Sequence, residues 1–294
     1  MTAAATMQSA KPACPADYGF LRQIVQEHSH NVLDPAQDYL FETRLAKLLR
    51  SLQMAGVEEL VWRLRARRDA ALERAVAEAM TVNETSFFRD ARPFELLEKE
   101  LLPGLIKARR EARSLRLWSA ACSTGQEAYS LAMLIADRFP VLAQWDVRVE
   151  ATDISAEVIE RAQQGRYSQI EIRRGLAPRL VARYFERDKD QPDAWTVRPE
   201  LRRLCHFRQA NLCGPCFPFL RATDRFDVIL LRNVMLYMAP ETRRALLVHV
   251  HRVLAPDGVL FLGSSEQPAD MSQWTAVLAG GACYYRRISP PPAR

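Results

Sequence analysis

Along residues 18–80 apolar positions recur every three or four residues, interrupted only by Gly19, Gly56 and Pro35. In "YLFETRLAKLLRSL", Leu40, Phe41, Leu45, Leu48, Leu49 and Leu52 fall on one helical face. "VEELVWRLRA" and "DAALERAVAEAM" repeat the period. The pattern predicts a helical N-terminal domain of about four helices over 17–80, preceded by a disordered start at 1–16. "TVNETSFFRD" then mixes polar and aromatic residues, and "RPFELLEKELLPGLIKARREA" is helical again, so 81–114 is expected to be an inter-domain motif and linker helix.

Beyond residue 114 the period changes. "LRLWSAA", "VRVEATD", "FDVILLRN" and "GVLFLGSS" have the short apolar character of strands, and all but the second are apolar enough for burial on both faces. Between them "QEAYSLAMLIADRF", "AEVIERAQQ" and "ETRRALLVHVHRVL" read as helices. Such alternation predicts an α/β fold: a doubly wound, mostly parallel sheet over 115–288. The stretch from about 166 to 210 is too long and polar for a simple crossover, and a small β insertion is expected around 185–210. The tail "SPPPAR", 289–294, is expected to be disordered.

Composition narrows the class. At 294 residues, 48% hydrophobic and 26% charged, the chain is an ordinary globular protein long enough for two cores. No apolar run approaches the roughly 20 residues of a membrane span, and the N-terminus lacks a signal-peptide pattern. Six cysteines without a dense framework suit a reducing compartment, so a cytoplasmic monomer is expected. The net charge of +6 favours an acidic partner. There is no lysine-rich tail, zinc-finger spacing or RNP-like aromatic motif, which argues against nucleic acid. Acidic protein surface fits better, although an arginine-bearing face such as "WRLRARRDAALERA" can equally be a solvated one.

In open α/β sheets ligands bind at the carboxyl ends of the strands. Three polar clusters fall at such ends: "ACSTGQE" at 121–127, "ATDIS" at 151–155 and "RNVMLY" at 232–237. Asp153 is placed to accept hydrogen bonds from ribose hydroxyls, or to cap the next helix. The first loop lacks GxGxxG and a P-loop ending, so it is a poor phosphate cradle. Its small residues Ala120, Ala121, Ser123 and Gly125 let backbone approach a ligand. Glu127 repels pyrophosphate but suits a cationic ligand, which points to S-adenosylmethionine; its other reading is a favourable charge in a helix's first turn. Cys122 lacks the nearby arginine or histidine of a thiol catalyst. "CGPC" at 213–216 copies a dithiol motif, but Pro218 and a loop-like context leave it outside a thioredoxin pattern.

Taken together, "NETSFFRD", "LWSAACSTGQEAYSLAM", "ATDIS", "FDVILLRNVMLYM" and "LAPDGVLFLGSSE", in that order, resemble the chemotaxis receptor methyltransferases, the CheR family of protein-glutamate O-methyltransferases. The resemblance spans about 18–288. It implies a Rossmann-like methyltransferase sheet behind a helical N-terminal domain. It also implies that Asn83, Thr85 and Arg89 reach S-adenosylmethionine alongside Glu127 and Asp153. Asn211 and Leu212 would flank the adenine region, Arg232 and Asn233 would complete the pocket, and Arg89 and Tyr237 would lie nearest the transferred methyl. The other reading of Tyr237 is a packed aromatic after a buried strand. The implied partner is the acidic helical region of a chemoreceptor or related signalling protein, the implied products glutamate methyl esters and S-adenosylhomocysteine. Some relatives dock a receptor's C-terminal peptide on a glycine-containing hairpin, whereas no glycine occurs here between Gly175 and Gly214. Three other readings remain: a nucleic-acid methyltransferase, which would want an NPPY-type sequence where "RNVMLY" stands; a cofactor-binding signalling module; and a methyltransferase acting on a non-receptor substrate.

Overall fold

The computed structural model describes residues 13–188, 191–214 and 225–288. Most of the expected starting segment and all of the expected tail lie outside these residues, as do Cys216 and Pro218. The chain forms two compact units. The first takes the described residues up to Val82 together with Tyr237–Ala239, and the second runs from Asn83 to Leu236 and resumes at Pro240.

The first unit is helical: α1 (Pro15–Ser29), α2 (Tyr39–Arg44), α3 (Ala46–Ser51), α4 (Val57–Ala66) and α5 (Ala70–Ala79). Helix α1 begins two residues before the expected domain start. The apolar stripe 40–52 is divided at Leu45, and Phe41, Leu45 and Leu49 point into the core with Leu21, Ile24, Leu60 and Val76. Asp69 caps α5 by accepting the Ala71 and Leu72 N–H groups. The short segment 237–239 belongs here by hydrogen bonding: the Val32 N–H donates to the Tyr237 carbonyl at 2.8 Å, and Asn31 bridges Met238.

The second unit opens with α6 (Arg92–Leu96), which continues through a wide turn at Leu97–Leu101 into α7 (Leu102–Ala108). Pro103 has no N–H for the ladder, and the Leu102 N–H reaches back five residues to the Leu97 carbonyl. This stretch is no free linker: Leu96, Leu97, Leu101, Leu102 and Leu105 are buried in the core of the second unit.

There follow β1 (Ser114–Ala120), α8 (Gln126–Arg138), β2 (Asp146–Asp153) and α9 (Ala156–Gln164). An insertion comes next: β3 (Arg166–Ser168), α10 (Gln169–Arg173), α11 (Pro178–Tyr184), β4 (Phe185–Arg187), β5 (Ala194–Val197) and α12 (Pro199–Arg202). The chain returns with β6 (Cys205–Gln209), β7 (Phe226–Leu231), α13 (Pro240–Val253), β8 (Leu254–Leu262), β9 (Trp274–Ala279) and β10 (Ala282–Arg287).

Seven strands make the main sheet in the order β6-β2-β1-β7-β8-β10-β9, parallel from β6 to β8 and antiparallel at β10 and β9. The expected doubly wound α/β sheet is therefore present. The order reverses between β1 and β7, where a ligand crevice forms at the carboxyl ends. Two expectations change. "CHFRQ" is not part of the insertion but an edge strand of the main sheet, in register with β2 from Val149↔Cys205 to Asp153↔Gln209. The insertion proper is an antiparallel three-stranded sheet, β3-β5-β4, whose β4–β5 pair forms without any glycine.

Candidate active site

The loop after β1 turns sharply because Ala121, Ser123 and Gly125 all adopt positive φ (61°, 50° and 93°). Gly125 is obligatory here on two counts: its φ, and a Cβ that would sit 2.9 Å from the Ala162 Cβ and 3.1 Å from the Tyr167 hydroxyl. Hydrogen bonds pin the turn, with the Cys122 N–H donating to the Thr152 carbonyl at 2.8 Å and the Tyr167 side-chain hydroxyl to the Thr124 carbonyl at 2.7 Å.

Asp153, buried at the end of β2, faces this loop. Its carboxylate accepts the Ser123 N–H at 2.8 Å and the Ser155 N–H at 3.1 Å. It does not cap α9, whose N-cap is Ser155; it bends the chain out of the strand and holds the β1 loop against β2. The Ser123 hydroxyl donates to the Asn83 carbonyl at 2.7 Å, tying the "NETSFFRD" segment to the loop. The Ala210 N–H donates to the Asp153 carbonyl at 2.8 Å, which brings Asn211 and buried Leu212 to the same strand end. Thr85 lines a cavity of about 330 Å³ with Asn83, Thr124, Gln126 and Glu157.

A second network surrounds Glu127 in the first turn of α8. The Ser119 hydroxyl donates to its Oε1 at 2.7 Å, and Arg232 Nη1 donates to its Oε2 at 3.0 Å. Burial raises the Glu127 pKa, opposed by Arg232, Ser119 and the Arg89 charge. A largely buried, doubly bonded carboxylate is more than a helix-terminus charge. Arg232 is itself almost wholly buried; its Nη2 donates to the Arg89 carbonyl at 2.9 Å and to Asp90 at 2.7 Å. Arg89 is differently placed. Among the described residues its guanidinium makes one hydrogen bond, to the Glu84 carbonyl at 2.9 Å, and has no carboxylate partner.

The third cluster is one the sequence did not announce. Both oxygens of buried Glu266 accept backbone N–H groups: Asn233 at 2.7 Å and Gly263 at 2.8 Å on Oε2, Met235 at 2.7 Å and Leu236 at 3.3 Å on Oε1. This fixes Asn233 at φ 59°. A Cβ on Gly263 would meet Glu266 Oε2 at 2.6 Å, so only glycine admits the carboxylate.

Neither Cys122 nor Cys213 carries an activated thiol. Burial pushes the Cys122 thiol well up, with Asp153 and Glu127 adding to the shift, so it is protonated at neutral pH. The Cys213 thiol is pushed up to about 11 by burial. Among the described residues no cluster of His, Cys, Asp and Glu is arranged to hold a metal ion.

The family described as "CheR methyltransferase, SAM binding domain" matches residues 83–282. The chain belongs to the CheR methyltransferase family. It is 40% identical to chemotaxis protein methyltransferase 1 of Pseudomonas aeruginosa over 258 residues, 86% of this chain and 91% of the relative. Identity to chemotaxis protein methyltransferase Cher2 of Pseudomonas putida is 35%, covering 85% of this chain and 90% of that one. To the chemotaxis protein methyltransferase of Escherichia coli K12 it is 33%, covering 85% and 84%. As a CheR-family enzyme the chain is an S-adenosylmethionine-dependent methyltransferase. The donor set fits such a cofactor: buried Asp153 at the end of β2 and largely buried Glu127 in the first turn of α8, beside a loop of small residues that has no P-loop pattern for phosphate.

Of the residues expected at the site, Asn83, Arg89, Glu127, Asp153, Asn211, Arg232 and Asn233 lie in networks at the carboxyl edge of the second unit. Tyr237 ends a tight turn, Met235–Tyr237, is 38% exposed rather than packed, and falls within the helical unit. Ser119, Asp90 and Glu266 join the site unannounced. The advance signal was that each lies within a quoted motif: Asp90 in "NETSFFRD", Ser119 in "LWSAACSTGQEAYSLAM" and Glu266 at the end of "LAPDGVLFLGSSE". Among the described residues no helix is long and apolar enough to cross a membrane.

Proposed function

We propose that this CheR-family enzyme methylates glutamate side chains of a chemoreceptor, forming glutamate methyl esters, and that Asp153, Glu127, Asn83, Thr85, Asn211, Leu212, Arg232 and Asn233 hold the cofactor. The observation that carries the reading is the contrast between two arginines. Arg232 is ion-paired with Glu127 and Asp90 through its two terminal nitrogens, whereas Arg89 forms no ion pair among the described residues. An unpaired arginine beside a methyltransferase site suits a carboxylate acceptor.

When bound, S-adenosylmethionine supplies an activated methyl group on a sulfonium. Asp153, at the end of β2, would accept hydrogen bonds from the ribose hydroxyls. Glu127 offers negative charge to the cationic end, shared with Arg232. A glutamate carboxylate, with an ordinary pKa of about 4.3, is already an anion at neutral pH. The chain therefore has no proton to remove from its acceptor. Its task is positioning, which supplies several kcal/mol in well-oriented reactions. Arg89 orients the incoming carboxylate; esterification abolishes that charge, weakens the contact and favours release.

The partner surface proposed is the arginine-bearing part of the helical unit. Between Arg44 and Arg74 eight basic and four acidic residues leave a local charge of 8 − 4 = +4. Arg68 is spent on Glu27 and Glu73, and Arg65 on Asp17, which leaves Arg63 and Arg67 exposed to steer an acidic helix.

The direct test is incubation with methyl-labelled cofactor and receptor cytoplasmic fragments. Label on the receptor that mild base releases as methanol marks a carboxyl ester. Base-stable label, or label transferred to nucleic acid, overturns the reading. Arg89→Ala should remove turnover while calorimetry still detects cofactor binding.

A further inference from the structure

A cavity of about 860 Å³ opens at the end of β8, walled by Asp90, Arg92, Arg232, Ser264, Glu266 and Leu278 among others. It shares Arg232 with the site already described, and Arg232 in turn holds the Arg89 carbonyl. The polar groups on its wall are unequally occupied. Glu266 has both oxygens taken by four backbone N–H groups, and Asp90 is paired with Arg232. Arg92 is exposed and has no ion pair or hydrogen bond among the described residues; its guanidinium lies along the Gly281 turn, 3.5 Å from where a Cβ would stand. The Ser264 hydroxyl adds a further donor. Leu278, 83% exposed on edge strand β9, gives the mouth an apolar rim.

We propose that this cavity is a subsite for the substrate protein, in which Arg92 receives a second acidic side chain flanking the glutamate to be methylated. The inference rests on the protein-glutamate reading above. Its physical basis is the pairing on the wall: Glu266 is fully bonded and one Asp90 oxygen is held by Arg232, while the Arg92 guanidinium has no partner among the described residues and can bind a carboxylate. Arg89 and Arg92 then divide the labour, the first orienting the reacting carboxylate and the second selecting its context. Arg92 is thus a specificity-determining residue, distinct from the groups that hold the cofactor.

The test compares two versions of a host chemoreceptor's cytoplasmic fragment, one with acidic residues flanking the target glutamate and one with those residues changed to glutamine. For the wild type, ester formation should favour the acidic flank by about tenfold in kcat/KM, the scale of one charge-assisted hydrogen bond. Arg92→Ala should bring the ratio close to one, Arg92→Lys should keep part of it, and Arg92→Glu should invert it. Cofactor affinity by calorimetry and the circular dichroism spectrum check that each variant is folded. A wild-type ratio near one, or a preference that persists in Arg92→Ala, overturns the subsite and leaves the functional reading standing. A wild type that forms no ester on any host receptor fragment overturns both.

Discussion

The two edges of the main sheet solve the same problem, buried charge beside strand ends, in different ways. At the amino edge Arg109 donates to Asp227 and, with two nitrogens, to Asp257, while the Arg116 N–H also donates to Asp227. That network ties α7, β1, β7 and β8 together and is internally closed. At the carboxyl edge Arg232 is shared between Glu127, Asp90 and a carbonyl, the neighbouring loop residues Ala121, Ser123 and Asn233 sit at positive φ, and Arg89 forms no ion pair among the described residues. The first arrangement binds strands; the second holds charge and backbone strain in readiness for something from outside. Strained backbone and incompletely matched charge gather where function lies, and stability is supplied elsewhere.

The comparison breaks most visibly at Arg232. Arg232→Met leaves Glu127 buried without its cation and should destabilise the fold by about 3 kcal/mol, with cofactor affinity falling as well. Adding Glu127→Gln should restore part of the stability but not the affinity, a result read from urea unfolding and calorimetry in a double-mutant cycle. Next in size is Arg109→Met. Asp227 keeps the Arg116 N–H and Arg109 is partly solvated, so the cost should be about 2 kcal/mol, while the folded fraction should bind cofactor as tightly as the wild type. Weakened binding there would mean the edges are not separable. Asp153→Asn keeps an acceptor for the loop and removes the charge; cofactor affinity should fall about tenfold, and an unchanged titration would sink the ribose assignment.

The smallest effect concerns pH, and its sign differs between the edges. Hydrogen bonds from Arg109 lower the Asp257 pKa. Its ionisation therefore contributes stability that is present above the ordinary carboxylate value of about 3.9 and lost as pH falls through the lower folded value. Because Asp257 is half exposed, Asp257→Asn should cost only about 0.5 kcal/mol at pH 7, and the gap should close in acid. Burial raises the Glu127 pKa. Its contribution runs the other way, present below the unfolded value and lost as pH rises through the folded one, so Glu127→Gln should flatten that decline. Unfolding curves across pH 3–7 compare the slopes.

Much of this was legible in the chain. The strands β1, β2, β7 and β8 and the helices between them follow from apolar runs and their boundaries, and Glu127 and Asp153 stood out because charge rarely ends a buried strand without a purpose. The edge strand β6 was read as insertion because "CHFRQ" alternates weakly; its half-exposed position relaxes the pattern, and only pairing with β2 defines it. The helical run 92–108 read as a linker because amphipathicity does not say which core receives the apolar face. Ser119 and Glu266 were illegible for a similar reason. Which side of β1 Ser119 faces, and which four N–H groups converge on Glu266, are facts of register and loop closure.

Glu266 has a kinetic corollary. The amides of Asn233, Met235, Leu236 and Gly263 come from two separate loops, yet one carboxylate holds all four. In deuterated solvent they should not exchange independently. They should be released together, as a single opening event of common rate, and the loops after β7 and β8 then open as one foldon.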